Sequence, residues 1–498
     1  MSNQQSSYRN IMKATSIFGG VQIFTILISI IRSKFIALFI GSAGIGIVGL
    51  LTSTIGVVAS ITNFGLGTSA VRDVSAANAE EDKTRISIIT TVLKYWVWVT
   101  GILGMIVVIL LSPILSQVTF GNSSYIYPFI LISVTLLFNQ LNTGQLAILQ
   151  GMQKLQYLAK ASLSGNFLGL ITTLPLYYFF GVKGIVPAMI IASIISFCIS
   201  WHFSNKNTIK SVTLPRNQIY SEGKHMLKMG FMISLNGLLV SATAYLIQIF
   251  INSRGGVEQV GLFTAGFSII NVYVGLIFTA MATDYFPRLS SVSHSNELCK
   301  KVINQQAEIS ILILGPIIMV FLVFIKLVIL LLYSHKFFPI EEMVLWLALA
   351  VFFKAAAWSI GFILLAKGAS KVFFWNDLAG NLYMLFLDIL GYYLWGLTGL
   401  GISFFVGYTL YFIQILMLSK IKYSFSFDYS FIKIFTVQFL LAIGCFIEVK
   451  LIEKPYSYGV GIIFIIISFY YSYVELDRRI GIKNTIYNFF QNRLKKKA

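Results

Sequence analysis

Several ionisable residues lie inside long apolar runs of this sequence, and four of them lie where a charge most needs a function or a partner. Arg32 and Lys34 interrupt VQIFTILISIIRSKFIALFIG, Lys354 lies in LALAVFFKAAAWSIGF, and Asp388 lies in NLYMLFLDILGYYLW. A charged side chain in the middle of a membrane helix costs about 2.5–3.5 kcal/mol on insertion scales. Bases at such positions suit an anionic ligand, whereas a carboxylate suits a proton or a cation.

The two bases of the first apolar run have two interpretations. If the first helix ended near Ile31, Arg32 and Lys34 would lie at the outer surface, but the apolar FIALFI that follows would have no role. If the helix continues, both bases lie within the membrane, about 200° apart around it, and face different directions. We interpret both as candidate substrate-binding residues, because a base can replace water around an anion.

Lys354 and Asp388 have similar alternatives. Lys354 lies too deep for its ammonium group to reach the membrane surface easily, so it needs a ligand or an ion pair. Asp388 is either the partner of such a lysine or a coupling site for H+ or Na+. Asn63, in SITNFGLG, either faces a polar cavity or hydrogen-bonds a neighbouring helix. We place Lys354 and Asn63 among the substrate-binding candidates and Asp388 among the coupling candidates.

Two further groups of charges close predicted helices at the same side of the membrane. Arg72 and Asp73 end the second helix, and Asp284 and Arg288, in ATDYFPRLS, end the eighth. Such residues either cap the helix and pair locally or form a gating latch. We retain all four as coupling or gating candidates.

The composition assigns these residues to an integral membrane protein. The chain has 498 residues, of which 57% are hydrophobic and 11% are charged, against about 25% charged in soluble domains. Aromatic residues make up 15%, as expected where Tyr and Trp anchor helices at lipid interfaces. The net charge of +19 is explained by basic cytoplasmic loops rather than by nucleic acid, which we do not expect as a partner.

Apolar stretches long enough to cross about 30 Å of hydrocarbon recur along the whole chain. They predict an all-α integral membrane fold with about fourteen transmembrane helices. The predicted helices span 12–40, 44–70, 87–111, 126–149, 159–180, 184–203, 229–251, 260–284, 307–332, 343–365, 375–395, 399–418, 434–452 and 458–474.

The distribution of Lys and Arg predicts the orientation. Segments on the side of the N-terminus hold about 27 of the basic residues, and the opposite loops hold about five, so the positive-inside rule places both termini in the cytoplasm. The opposite loops are short, which leaves no extramembrane domain for an active site.

An internal repeat predicts two lobes. Residues 44–52 (GIGIVGLLT) match residues 256–264 (GVEQVGLFT) at an offset of 212, six helices later, so both copies have the same orientation. At this offset Arg32 and Lys34 correspond to Ala244 and Leu246, so only the first lobe carries the bases. The predicted organisation is an N-terminal lobe at 1–203, a cytoplasmic linker at 204–228, a second lobe at 229–418, and a C-terminal helix pair with a basic tail at 419–498.

Motifs of the common membrane-associated activities are missing. The sequence contains no GxxxxGK[ST], HExxH or GxSxG pattern. The cysteines (Cys198, Cys299 and Cys445) and the four histidines are scattered, so we expect neither a metal site nor a cofactor.

The chain as a whole resembles the polysaccharide flippases, or O-antigen translocases, of the multidrug/oligosaccharidyl-lipid/polysaccharide exporter superfamily. The resemblance rests on the polar start, the segment IIRSKFIALFIG, the stretch GIGIVGLLTSTIGVVASITNFGLGTSAVRDVS, and the second copy ending in ATDYFPRLS. The related lipid II flippase also carries an arginine a few residues before the glycine that ends its first helix, as Arg32 precedes Gly41 here. Lys34 has no clear counterpart.

The resemblance implies two six-helix lobes around a cavity that opens alternately to each side of the bacterial inner membrane. The expected substrate is an undecaprenyl-pyrophosphate-linked oligosaccharide, an O-antigen or lipopolysaccharide repeat unit, moved from the cytoplasmic to the periplasmic leaflet. Membrane lipids are the other expected partners. One alternative is a cation-coupled multidrug exporter of the same superfamily, which would use buried carboxylates. A second is a membrane-embedded enzyme of envelope glycan synthesis, and sugar transfer by the purified protein would distinguish it.

Overall fold

A computed structural model describes residues 3–206, 212–453 and 456–480, with side chains from Phe24 onward except at a few positions, including Asp284. Every regular element in these residues is helical. The α-helices are α1 Asn3–Thr62, α2 Leu66–Ala79, α3 Lys83–Phe120, α4 Ile126–Ile132, α5 Val134–Gly151, α6 Leu155–Phe180, α7 Ile185–Asn205, α8 Arg216–Ser268, α9 Gly275–Ser291, α10 Asn296–Leu332, α11 Glu341–Ala366, α12 Ser370–Tyr423, α13 Tyr429–Leu451 and α14 Tyr456–Ile480.

Within the described residues, ten helical runs are long and apolar enough to cross a membrane. Four of these runs contain a break that falls between two predicted helices: at Gly41, at the 3₁₀ turn Gly181–Gly184, at Gly256 and at Gly396. The three lone glycines have φ values of 66°, 78° and 58°, which side-chain-bearing residues rarely adopt. The prediction of an all-α membrane fold is confirmed, and the number of fourteen crossings stays a prediction.

The chain divides into two compact units. Unit 1 comprises Met1–Ala265 with Leu331–Phe337, and unit 2 comprises Gly266–Leu330 with Phe338–Ala498. Most of α8 therefore packs with α1–α7, although the sequence repeat assigns it to the second lobe. The predicted lobe boundaries follow the sequence repeat, whereas the two units follow packing contacts. The lobe boundaries stay a prediction.

Unit 1 has an apolar core where α2, α3 and α5 meet the start of α8. Leu66, Val92 and Leu93 are fully buried in it, and Met226 of α8 belongs to the same cluster. On the surface of this core, the Arg85 guanidinium of α3 donates two hydrogen bonds to the Glu222 carboxylate of α8, at 2.6 and 2.9 Å.

The two repeat copies pack against each other through glycines within unit 1. A Cβ atom at Gly261 would lie 1.8 Å from the carbonyl oxygen of Ser42, and one at Gly49 would lie 2.8 Å from the Thr264 hydroxyl. Only glycine permits this approach of two helix backbones. Gly46 also meets Gly261 in this contact.

The contact corrects the register of the repeat. The helix breaks at Gly41 and Gly256 are 215 residues apart, as are Gly46 and Gly261, which is three residues more than the sequence offset. Because the motif contains several closely spaced glycines, its sequence matches in more than one register. At an offset of 215, Arg32 and Lys34 correspond to Ile247 and Ile249, so the bases remain confined to the first copy.

Unit 2 is organised around α11. Most residues of α11 are buried around its whole circumference, which is the pattern of a helix enclosed by others. Tyr285 of α9 packs on Trp358 and Phe362 of this helix, with ring centroids 5.5 and 5.4 Å apart. Lys354 lies on this central helix, so the bundle determines what its ammonium group meets.

Candidate functional site

Lys354 lies near the midpoint of α11, about 20 Å from either helix end at 1.5 Å per residue. Its Nζ atom donates a 3.3 Å hydrogen bond to Oδ1 of Asn271. The same atom lies 5.7 Å from the ring centroid of Phe404 and 5.4 Å from that of Tyr408, both on α12. These are cation–π distances, so one amide and two aromatic faces hold the ammonium group.

Asn271 lies in a segment where the helical backbone is widened. Residues Ile269–Val274, between α8 and α9, form a π-helical turn, and the Asn271 side chain is exposed there. Single π turns inside α-helices are frequent at functional sites. The sequence pattern singled out Lys354 but missed Asn271, Phe404 and Tyr408, because neither a π turn nor a contact between distant helices is visible in local periodicity.

Lys354 has no carboxylate within salt-bridge distance in the part of the chain that the structure describes. Among the described residues no salt bridge involves Lys354 or Asp388, so the alternative in which the two neutralise each other is not observed. Asp388 lies on α12, partly buried, near Ser403, whose hydroxyl donates to the carbonyl oxygen of the preceding Leu387. Its assignment as a coupling residue stays a prediction.

Arg32 and Lys34 leave α1 in different directions, as their separation around the helix requires. Arg32 is partly exposed and close enough to Tyr177 of α6 for an electrostatic interaction. In the described part of the chain it makes neither a hydrogen bond nor a salt bridge. Its guanidinium therefore lies on a membrane helix without a neutralising carboxylate, and substrate binding by Arg32 stays a prediction.

Lys34 contacts backbone rather than open space. Its Nζ atom donates a 2.7 Å hydrogen bond to the carbonyl oxygen of Tyr333, just after α10. The Tyr333 hydroxyl in turn donates to the carbonyl oxygen of Ala265, at 3.0 Å. This arrangement gives Lys34 a structural contact within unit 1, and its role in substrate binding stays a prediction.

Asn63 stabilises the turn between α1 and α2. Its Oδ1 atom accepts a 2.9 Å hydrogen bond from the backbone N–H of Gly65, and its carbonyl oxygen faces Nε2 of Gln140 at 3.4 Å. The contact of the Asn63 side chain is therefore local, and a contact with substrate stays a prediction.

Three of the four gating candidates, Arg72, Asp73 and Arg288, have described side-chain contacts. Arg72 pairs with its neighbour Asp73 at 2.9 Å, and the Arg288 guanidinium donates to Oε1 of Gln306 on α10, also at 2.9 Å. The side chain of Asp284 is outside the described residues. The first pair matches the local ion-pair interpretation, and gating by any of these residues stays a prediction.

A second polar cluster in unit 2 was missed by sequence reasoning. The Tyr411 hydroxyl donates to Oδ1 of Asp377 at 2.8 Å, and Gln414 donates to Oδ1 of Asn376 at 2.9 Å. These residues lie on the two arms of α12, which fold back on each other at Gly396. Asp377 lies near the start of a predicted helix, where a carboxylate draws no notice, and only the folded arms bring it to Tyr411.

The bundle of apolar helices, with bases that lack a carboxylate partner among the described residues, defines the class of this protein as a multi-pass membrane protein. Structural comparison identifies its fold. The lipid II flippase MurJ, in an inward closed conformation, matches with a TM-score of 0.69 and 14% identity over 94% of this chain and 99% of that one. An inward-facing multidrug resistance MATE transporter of the MOP superfamily matches with a TM-score of 0.66 and 15% identity, over 81% and 94%. The outward-facing form of a MATE transporter gives 0.60 and 17%, over 83% and 96%.

Sequence comparison identifies the family. The model of the family described as polysaccharide biosynthesis protein matches residues 35–342, more than half of the chain. The chain belongs to this family, as the sequence resemblance predicted. The matched region contains Asn63, Arg72 and Arg288, whereas Arg32 and Lys354 lie outside it. A search of curated proteins gives no significant match.

Proposed function

We propose that the protein is a flippase that moves an undecaprenyl-pyrophosphate-linked oligosaccharide from the cytoplasmic to the periplasmic leaflet by alternating access. The family match supports polysaccharide biosynthesis as the process. The fold supports transport, since the structures that share it are described as a flippase and as transporters.

We infer an anionic substrate because two bases on membrane helices lack a carboxylate partner among the described residues. Lys354 in unit 2 and Arg32 in unit 1 lie on membrane helices, and neither meets a carboxylate in the described residues. A base in the membrane without an internal counterion stabilises an anion that replaces its lost hydration. A diphosphate supplies that anion.

The surroundings of Lys354 also suit sugars. An exposed amide at Asn271 offers a donor and an acceptor to hydroxyl groups, and the rings of Phe404 and Tyr408 offer apolar faces. The lipid tail remains in hydrocarbon throughout. The polar head group loses its hydration as it crosses, so it needs protein contacts of this kind to replace the water.

The membrane potential favours export of this substrate. Moving two negative charges outward across a potential that is negative inside releases about 4.6 kcal/mol per 100 mV. If an ion moves with the substrate and compensates its negative charge, Asp388 is the candidate site for that H+ or Na+. Replacing Asp388 with Asn would then abolish the dependence of transport on that ion gradient.

The test is transport of a labelled lipid-linked oligosaccharide by the purified protein in liposomes, measured as exposure of the label to a membrane-impermeant reagent. We expect Arg32→Ala and Lys354→Met to lower the rate at least tenfold, and Arg32→Lys and Lys354→Arg to retain most of it. The matched control is Lys371→Met, because Lys371 is an exposed base at the start of α12.

Normal transport in both Arg32→Ala and Lys354→Met would contradict the proposal. Export of organic cations without transport of the glycolipid would support the multidrug exporter instead. Sugar transfer by the purified wild-type protein would support an enzyme.

A further inference from the structure

A cavity of about 400 Å³ lies among α3, α5 and α7 of unit 1, and none of the bases discussed above lines it. It is lined by Lys94 and Trp98 of α3, Gln145 of α5, and Phe197 and Trp201 of α7, together with smaller apolar side chains. Among the described residues that line it there is no carboxylate. The cavity therefore combines one positive charge with a largely apolar wall.

Gln145 contributes an unsatisfied polar group to the residues that line this cavity. The side chain is only 6% exposed, and its Oε1 atom has no hydrogen-bond partner. A buried amide oxygen without a partner costs free energy, of the order of 1–3 kcal/mol, unless a ligand supplies a donor.

Three of the other lining residues, Lys94, Trp98 and Trp201, carry hydrogen-bond donors. Lys94 and the indole N–H groups of Trp98 and Trp201 make no hydrogen bonds in the described part of the chain. Three donors that include an ammonium group suit phosphate oxygens. One acceptor, at Gln145, suits a hydroxyl group of the same ligand.

Exposed apolar residues border the cavity on α3 and α7, and we expect this surface to face lipid. Trp98 and Trp201 are 48% and 52% exposed, and Tyr95, Val99 and Ile102 continue the exposed apolar face of α3. Lys94, Gln145 and Trp201 lie eleven, six and four residues from the ends of their helices on the predicted cytoplasmic side. At 1.5 Å per residue they lie within about 6–17 Å of those ends, at the depth of lipid head groups and upper acyl chains.

We propose that this cavity binds the head group of an anionic, hydroxyl-bearing phospholipid of the inner leaflet, of the phosphatidylglycerol type. The lipid phosphate contacts Lys94 and the two indole N–H groups, a glycerol hydroxyl donates to Oε1 of Gln145, and the acyl chains leave past Trp98 and Trp201. This site is separate from the one proposed for the transported substrate.

The test uses the full chain in nanodiscs with equal amounts of phosphatidylglycerol and phosphatidylcholine, and measures the retained lipids by native mass spectrometry. We expect the wild-type protein to retain one phosphatidylglycerol preferentially. Lys94→Gln should lower the affinity for this lipid about tenfold, and Gln145→Leu should lower it severalfold.

Matched controls are Lys160→Gln and Gln150→Leu, which change exposed residues of the same types outside the cavity, and both should retain the wild-type preference. Equal retention of both lipids by the wild-type protein, or an unchanged preference in Lys94→Gln, would overturn the proposal. Displacement of the lipid by millimolar inorganic phosphate, or retention of a polyprenyl diphosphate in place of phosphatidylglycerol, would also overturn it. Transport of the oligosaccharide is measured separately, so failure of one proposal does not imply failure of the other.

Discussion

The ammonium group of Lys34 donates a 2.7 Å hydrogen bond to the carbonyl oxygen of Tyr333, a residue 299 positions later in the chain. Tyr333 is fixed at its other end, because its hydroxyl donates to the carbonyl oxygen of Ala265 and its ring stacks on Phe337. A charged donor on α1 thus fixes the segment that follows α10. In the membrane this contact also provides part of the polar environment that Lys34 needs.

Replacing Lys34 with Met should lower the stability of the protein, because a hydrogen bond from a charged donor contributes about 1.5–3 kcal/mol. Lys34→Arg should remain close to wild type, since a guanidinium can donate to the same carbonyl oxygen. The measurement is the thermal unfolding midpoint in detergent. Lys183→Met, at an exposed position, is the control, and an equal midpoint for Lys34→Met and Lys183→Met would show that the contact contributes nothing.

The close contact at Gly261 predicts that even substitution by alanine lowers the stability of the protein. In Gly261→Ala the new methyl group would lie 1.8 Å from the carbonyl oxygen of Ser42, so α1 and α8 would have to separate. We expect a loss of about 1–3 kcal/mol in stability, as for overpacked cores. Gly56→Ala, which has open space at its Cβ position, should be tolerated. Equal unfolding midpoints for the two variants would rule out close packing at Gly261.

The Arg85–Glu222 pair predicts a pH dependence of stability. Hydrogen bonds from Arg85 lower the pKa of the Glu222 carboxyl below its ordinary value of 4.5. A carboxyl whose pKa is lower in the folded state stabilises the fold above its unfolded pKa, and this contribution is lost as the pH falls through the folded pKa. Both side chains are partly exposed, at 41% and 30%, so the contribution is at most about 1 kcal/mol.

The measurement is the unfolding midpoint from pH 7 down to pH 3. Below about pH 4.5, wild type should lose more stability than Glu222→Gln, which has no proton to bind. Glu80→Gln, an exposed residue in the same region, should follow wild type. Parallel curves for wild type and Glu222→Gln would contradict the role of the pair.

A partly buried arginine on α14, Arg479, joins this helix to α10 and α13 of unit 2. The Arg479 guanidinium donates to Glu308 of α10 at 2.6 Å, to Ser430 of α13 at 2.7 Å, and to Glu475. Glu308 and Glu475 are buried, at 8% and 7% exposed. Arg479→Leu would leave both carboxylates in place without this counterion.

We expect Arg479→Leu to cost about 3–5 kcal/mol, the usual result of removing one partner of a buried ion pair. The neighbouring Arg478→Leu should cost less than about 1 kcal/mol, because Arg478 is 67% exposed in its pair with Glu475. Limited proteolysis and the unfolding midpoint should therefore distinguish the two variants. Similar behaviour of both would show that the network does not hold α14.

Much of the fold could be predicted from the sequence because a bilayer constrains it strongly. A span needs about twenty apolar residues and leaves no backbone group unpaired, so hydropathy alone predicts helices such as α3, α10 and α13. The breaks at Gly41 and Gly256 were expected between predicted helices, although the helix count is not established by them. The repeat was visible, but its register was three residues off because glycine spacing is ambiguous.

The sequence by itself determined that the protein is an all-helical membrane protein with bases inside apolar runs. Both facts depend only on which residues follow one another along the chain. Only the tertiary structure decided what each charge meets. Lys354 meets Asn271, Phe404 and Tyr408, while Lys34 meets the backbone of Tyr333. The reason is physical: hydrophobic burial is nearly additive along the sequence, whereas a hydrogen bond or a cation–π contact requires two groups within a few ångströms.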